Sequence, residues 1–242
     1  MISRRTFVKG LAAGAAALAI SRMDGMTVQA TGHGSGGGHA IIPPDKAIEL
    51  LREGNKRYAK MHRLADPGVG PKARAPLTKG QWPYCTILSC SDSRVPPELI
   101  FDEGLGRLFI IRNAGNIIDP IALGSIEYAS LHSTSRLIMV MGHESCGAVG
   151  AAVKAFEHPG GHETPSINSI IAALMPAVKK AKAATGASGK DLVEAAIRQN
   201  IKDQINNILS QSPALKKMSD AGELKVVGGY YSLHTGEVEI WV

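Results

Sequence analysis

The chain has 242 residues, 44% hydrophobic, 20% charged and 5% aromatic, with a formal net charge of +6. That is ordinary globular composition, with apolar content for one sizeable core. Half of the charge sits in the first thirty residues, where Arg4, Arg5, Lys9 and Arg22 oppose Asp24; the remaining +3 and the scarcity of aromatics give nucleic-acid binding no support.

Residues 1–30 read as an export signal. Arg4 and Arg5 precede an apolar run from Leu11 to Ile20, and Val28-Gln29-Ala30 offers the small residues a signal peptidase needs. The run is about half the length of a membrane span, so no permanent anchor is expected. The paired arginines resemble a twin-arginine signal, which a receptor reads as an address. The mature protein is therefore expected outside the cytoplasm, in the periplasm or its equivalent.

Residues 31–43 form a Gly-rich linker whose histidines, His33 and His39, read as solvated. Residues 44–242 are expected to form one folded domain. Pro43-Pro44 opens a helix with Ala47, Leu50, Leu51, Gly54 and Tyr58 on one stripe. Asp66 to Lys79, rich in Pro, Gly and basic residues, reads as a surface crossing. From Pro83 onward, short apolar runs alternate with helical segments. Strands are expected at Tyr84–Ser89, Leu108–Arg112 and Leu137–Met141, and helices at Pro96–Phe101, Pro120–Leu131 and Gly147–Phe156. This rhythm calls for an α/β fold, a mainly parallel β-sheet flanked by helices on both faces. Two helices follow, Ile167–Lys182 and Lys190–Ser210, the second with Ser188 as its expected cap and Val193, Ile197, Ile201, Ile205 and Ile208 on one face. Lys225–Tyr230 and Val238–Val242 are the closing strands, the last at an edge of the sheet.

Cys90 and the pair His143/Cys146 each follow an apolar strand, and in an open α/β sheet the carboxyl ends of parallel strands face one crevice. Two thiolates and an imidazole suit zinc better than magnesium or calcium. Three protein ligands leave one tetrahedral position for water, whose pKa zinc can bring down to about 7. Asp92 has two plausible tasks: to orient that water while paired with Arg94, or to swing onto zinc as a fourth ligand. The backbone N–H of Gly147 starts the next helix and can donate to an anionic product. Cys85 reads as a small buried hydrophobe, and His62, His132, His158, His162 and His234 as surface or satisfied histidines.

Cys90-Ser91-Asp92-Ser93-Arg94-Val95-Pro96 followed by Gly142-His143-Glu144-Ser145-Cys146-Gly147-Ala148 resembles the β-class carbonic anhydrases. The similarity runs through Glu98–Asp102, Arg112–Asn116 and Gly124–Tyr128. It implies zinc on Cys90, His143 and Cys146, an Asp92–Arg94 catalytic dyad, and reversible hydration of carbon dioxide to bicarbonate and a proton. It also implies a homodimer or a multiple of dimers such as a homotetramer, with the N-terminal helix packing on a partner subunit. Some members close the equivalent of Asp92 onto zinc and bind bicarbonate beside a tryptophan. Trp82 and Trp241 lie outside the N-terminal helix, which favours the unregulated type.

Three other readings compete. The same scaffold and zinc could hydrolyse carbon disulfide or carbonyl sulfide. Ser145 could be a nucleophile on a strand-to-helix elbow, although His143 stands where that motif needs Gly. Cys90 and Cys146 could serve a non-enzymatic thiol or zinc-storage protein, which would need neither Asp92 nor Arg94.

Overall fold

The computed structural model describes residues 40–160 and 163–241. The expected signal, His33 and His39 of the linker, His162, and Val242 at the end of the closing strand lie outside these residues.

Helix α1 (Pro44–Ala59) opens with Pro at its first position and Asp45 in its first turn, and closes with Lys56 and Arg57 in its last, matching the helix dipole at both ends. Its inward stripe is Ala47, Ile48, Leu51 and Gly54. Gly54 lies so close to the turn at Phe101 that a Cβ there would stand 1.9 Å from the Phe101 carbonyl oxygen. This stripe packs on the chain's own sheet, and Glu49, Arg52, Glu53 and Lys56 lie on the exposed side of the helix.

Helix α2 (Pro71–Leu77) lies within the segment expected to be a plain crossing, and buries none of its residues. Strand β1 (Cys85–Cys90), helix α3 (Pro97–Ile100), strand β2 (Leu108–Asn113) and helix α4 (Pro120–His132) follow. Strand β3 (Leu137–His143) leads into helix α5 (Gly147–Glu157). Helices α6 (Pro165–Thr185), α7 (Gly189–Gln211) and α8 (Pro213–Asp220) precede strands β4 (Lys225–Tyr231) and β5 (Val238–Trp241). Ser188 stands at the N-cap of α7, but its side chain makes no capping bond; the Gly189 N–H instead donates to Glu157 at 2.9 Å.

The strands are ordered β2-β1-β3-β4-β5, the first four parallel and β5 antiparallel on the edge, as the alternation of elements requires. Side chains alternate between the faces. Leu88, Cys90, Ile138 and Val140 pack towards the cluster formed with α4 to α8, whereas Cys85, Ile87, Leu137, Met139 and Met141 meet α1. The four parallel strands each run one or two residues further than their apolar stretches suggested. Cys90 pairs with Asn113 and His143 with Tyr231, so both residues are the last rungs of ladders rather than loop residues. Among the described residues, no helix is long and apolar enough to cross a membrane.

Candidate metal centre

The two strand ends and the start of α5 bring Cys90, His143 and Cys146 together, their ligand atoms all within 4.8 Å of one another. All three are buried, and the two sulfurs stand 4.0 Å apart, about twice a disulfide bond length. The fit to a metal is tested by the imidazole. His143 Nδ1 lies 2.9 Å from the Glu144 carbonyl oxygen and can only donate there, which leaves Nε2 unprotonated in the neutral ring. Nε2 is buried without a hydrogen-bond partner. An orphaned imidazole lone pair beside two thiols is the donor set that zinc prefers.

The sulfurs are electrostatically unequal. Cys90 accepts from the Cys146 thiol and from the Gly115 N–H at 3.4 Å, and these bonds pull its thiol well below the ordinary range despite burial. The thiol of Cys146, donating to Cys90 and buried, is pushed up, although the N–H groups of Val149 and Ala148 at the start of α5 favour its thiolate. The two opposite shifts belong to the pair, whose sulfurs are in hydrogen-bond contact with each other.

Asp92 and Arg94 form a fork beside this cluster. Arg94 Nε donates to Asp92 Oδ1 at 2.9 Å and Nη2 to Oδ2 at 2.7 Å, with the Arg94 N–H adding a third bond at 3.0 Å. The guanidinium holds the Asp92 carboxyl far below the usual carboxylate range. Asp92 Oδ2 is 4.0 Å from His143 Nε2, so the carboxylate borders the centre while Arg94 keeps hold of it. Arg112 spans the same loop from β2, donating to the carbonyls of Cys90 at 2.9 Å and Asp92 at 2.6 Å. Gly147 is exposed at the first position of α5, where its N–H has no intrahelical acceptor.

Ser145 is the turn between His143 and Cys146 and adopts φ +54°, a left-handed conformation that a nucleophile elbow also uses. Its N–H donates to Glu194 at 3.0 Å and its carbonyl accepts from Arg94 at 3.4 Å. Its hydroxyl bonds to no histidine among the described residues. Cys85 is fully buried and its thiol is pushed up by burial; His62, His132, His158 and His234 are exposed. Trp241 lies on β5, donating to Glu239 at 2.6 Å beneath the Arg198 guanidinium.

Sequence reasoning missed the supports of this centre. Glu194 takes the Tyr230 hydroxyl as well as the Ser145 N–H. Glu144 accepts from the Ser232 hydroxyl and the His234 N–H, each at 3.0 Å. Asn200 and Gln204 reach the Gly115–Ile118 turn from α7. A polar residue one turn along an otherwise apolar helix face was the available signal.

Residues 85–238 match a family model described as carbonic anhydrase, and residues 1–21 match one described as a TAT (twin-arginine translocation) pathway signal sequence. A carbonic anhydrase of Mycolicibacterium smegmatis is 37% identical over 199 residues, spanning 81% of this chain and 93% of that protein. Carbonic anhydrase 2 of Mycobacterium tuberculosis is 36% identical over 196 residues, spanning 80% and 90%. Among solved structures, the β-carbonic anhydrase CcaA aligns with a TM-score of 0.65 at 30% identity, covering 81% of this chain and 93% of that one. The Coccomyxa β-carbonic anhydrase aligns with a TM-score of 0.61 at 27% identity, covering 79% and 85%.

Proposed function

From the membership of this chain in the β-carbonic anhydrase family, we propose that it hydrates carbon dioxide reversibly to bicarbonate and a proton, with zinc held by Cys90, His143 and Cys146. The observation that carries the zinc reading is the buried, unpartnered His143 Nε2 beside two sulfurs 4.0 Å apart. Zinc supplies Lewis acidity there, making a water acidic enough to attack near neutral pH.

The chain's own residues manage the proton and the charge. Arg94 donates to both oxygens of the Asp92 carboxylate and keeps it ionised, so that Asp92 Oδ2 can accept a hydrogen bond from the attacking water and fix the orientation of its lone pair. Asp92 held by Arg94 in this way would be drawn away from a zinc on Cys90, His143 and Cys146, which supports an open site. The Gly147 N–H at the start of α5 attracts the anionic product. Glu144, locked by Ser232 and His234, fixes the carbonyl that orients the His143 ring.

The apolar residues of α4 support a homodimer or a multiple of it. Ile121 is 80% exposed, and Tyr128 and Leu131 share that outward side, beside edge strand β2. A second copy is the expected cover for such a face. The match to a twin-arginine signal supports export of the folded, metal-loaded enzyme out of the cytoplasm, to the periplasm or its equivalent.

Stopped-flow carbon dioxide hydration on zinc-quantified protein tests the reaction. Hydration well above background is expected, lost in Asp92→Ala while one zinc per chain stays bound. Background hydration with zinc bound would overturn the reading, and turnover of carbon disulfide or carbonyl sulfide in the same sample would replace it. Sedimentation showing only monomers would remove the dimer.

A further inference from the structure

Helix α7 carries two buried amides, Asn200 and Gln204, 1% and 3% exposed, one turn apart on the side facing the loop after β2. A buried amide is costly unless its donors and acceptors are used, so where their bonds go is informative. Asn200 Nδ2 donates to the Gly115 carbonyl at 2.9 Å, and Asn200 Oδ1 accepts from Gln204 Nε2 at 2.9 Å. Gln204 Oε1 accepts from the Ile118 N–H at 2.9 Å. Neither amide can be flipped without setting oxygen against oxygen or N–H against N–H, so the pair is oriented as well as placed.

What they hold is a short turn. Its stem is closed by the Asn113 side chain, which bonds the Ile117 N–H and carbonyl, each at 2.8 Å. Gly115 stands at φ +81°, where a Cβ would come within 3.0 Å of Leu174. In this conformation its carbonyl points to α7 and its N–H to the Cys90 sulfur, 3.4 Å away. One peptide turn thus carries the reach of α7 to a sulfur of the centre.

We infer that Asn200 and Gln204 are positioning residues for the metal centre, holding the Gly115 N–H against Cys90 Sγ through the Gly115–Ile118 turn. The inference rests on the reading of Cys90 as a metal ligand. An N–H directed at a metal-bound thiolate restricts where the sulfur sits and draws electron density from it, so its loss alters the metal–sulfur bond itself. An amide pair that merely filled the space under the loop would leave that bond untouched.

The test is Asn200→Asp in full-length protein loaded with zinc or cobalt(II). The substitution keeps the acceptor for Gln204 but sets a carboxylate oxygen against the Gly115 carbonyl. The expected results are a displaced sulfur-to-cobalt charge-transfer band and zinc affinity weakened about tenfold in competition with a chelator. Gln204→Met, which leaves Asn200 in place without its anchor, is expected to move both readouts in the same direction, and serves if Asn200→Asp does not fold. Asp203→Asn is the control: on the same helix it loses the 2.8 Å Lys180 contact but touches nothing in the turn, and is expected to leave both unchanged. In wild-type protein loaded with NMR-active cadmium, the Gly115 amide proton is expected to couple to the metal through the Cys90 sulfur. A folded Asn200→Asp or Gln204→Met with the wild-type band and affinity, an Asp203→Asn that moves them equally, or absent coupling would overturn the inference. A wild-type protein with no sulfur-to-cobalt band would instead defeat the metal reading.

Discussion

Arg94 grips Asp92 with two side-chain hydrogen bonds, Nε to Oδ1 at 2.9 Å and Nη2 to Oδ2 at 2.7 Å, only two residues apart in the chain. That geometry needs a planar fork, which Lys does not have. Both Arg94→Lys and Arg94→Ala are therefore expected to lower carbon dioxide turnover by about a hundredfold while zinc content stays at the wild-type level. Arg94 depresses the Asp92 pKa; without Arg94 it rises only towards the ordinary carboxylate value, about 3.9, still below the value of about 7 that zinc gives its water, so the loss should be the same fold across the neutral range. Wild-type turnover in both variants would sink this assignment.

Glu194 governs the other ligand loop. The Ser145 N–H donates to it while Ser145 sits at φ +54°, a conformation that costs a non-glycine residue roughly 1 kcal/mol. Glu194→Ala releases that N–H, and the turn that aims His143 and Cys146 at one point loses its hold. Zinc loss to a chelator is expected to become about tenfold easier in Glu194→Ala, and less affected in Glu194→Gln, which keeps an acceptor oxygen. Equal zinc retention in wild type and Glu194→Ala would show that the turn stands unaided.

The contrast between Cys90 and Glu194 explains how much the sequence disclosed. Cys90, Asp92 and Arg94 lie within five residues, and His143 and Cys146 within four, each group at the end of an apolar strand. Parallel pairing of β1 with β3 then brings the groups together. Local spacing and one topological rule were enough for the ligands. Glu194, Asn200 and Gln204 lie on a helix whose apolar residues alone carried the periodic signal, and their partners at Ser145, Gly115 and Ile118 are 49 to 86 residues away. Helices α2 and α8 were hidden for another reason. Both begin at a proline, Pro71 and Pro213, that reads equally well as a turn.

Asp102 ties α1 to the turn after α3. Its fully buried carboxylate accepts from Arg57 Nε at 2.7 Å, Arg63 Nε at 3.2 Å and the Leu64 N–H at 3.1 Å. Burial by itself would raise its pKa, but the Arg57 bond, the Leu64 N–H and Arg63 outweigh it and hold the carboxyl below its ordinary value. Asp102→Asn keeps the shape and tolerates the φ of +49° found there. It is expected to cost about 2 kcal/mol at neutral pH, read from urea unfolding of the zinc-loaded protein. A depressed folded-state pKa gives stability that is present above the unfolded value, about 3.9, and is lost as pH falls through the folded one. The gap between wild type and Asp102→Asn should therefore close only in acid below that value. A gap independent of pH would mean that packing, not charge, accounts for the loss.

The three cysteines are expected to part company when zinc is removed. Cys90 and Cys146 already face each other at 4.0 Å, and the hydrogen bonds on Cys90 favour its thiolate, the form that attacks an oxidant or another sulfur. Cys85 is fully buried on the opposite face of the sheet, with its thiol pushed up by burial, and is inert. Zinc-loaded protein in an oxidising glutathione buffer should keep all three thiols, counted after denaturation. Chelator-stripped protein in the same buffer should lose the Cys90 and Cys146 thiols together to one intramolecular disulfide and retain Cys85. Peptide mapping of that sample should find Cys90 joined to Cys146. A zinc-loaded sample oxidised as fast as the stripped one would show that the metal does not occupy these sulfurs. Stripped protein that keeps three free thiols would show that the ligand loops hold the sulfurs apart without it.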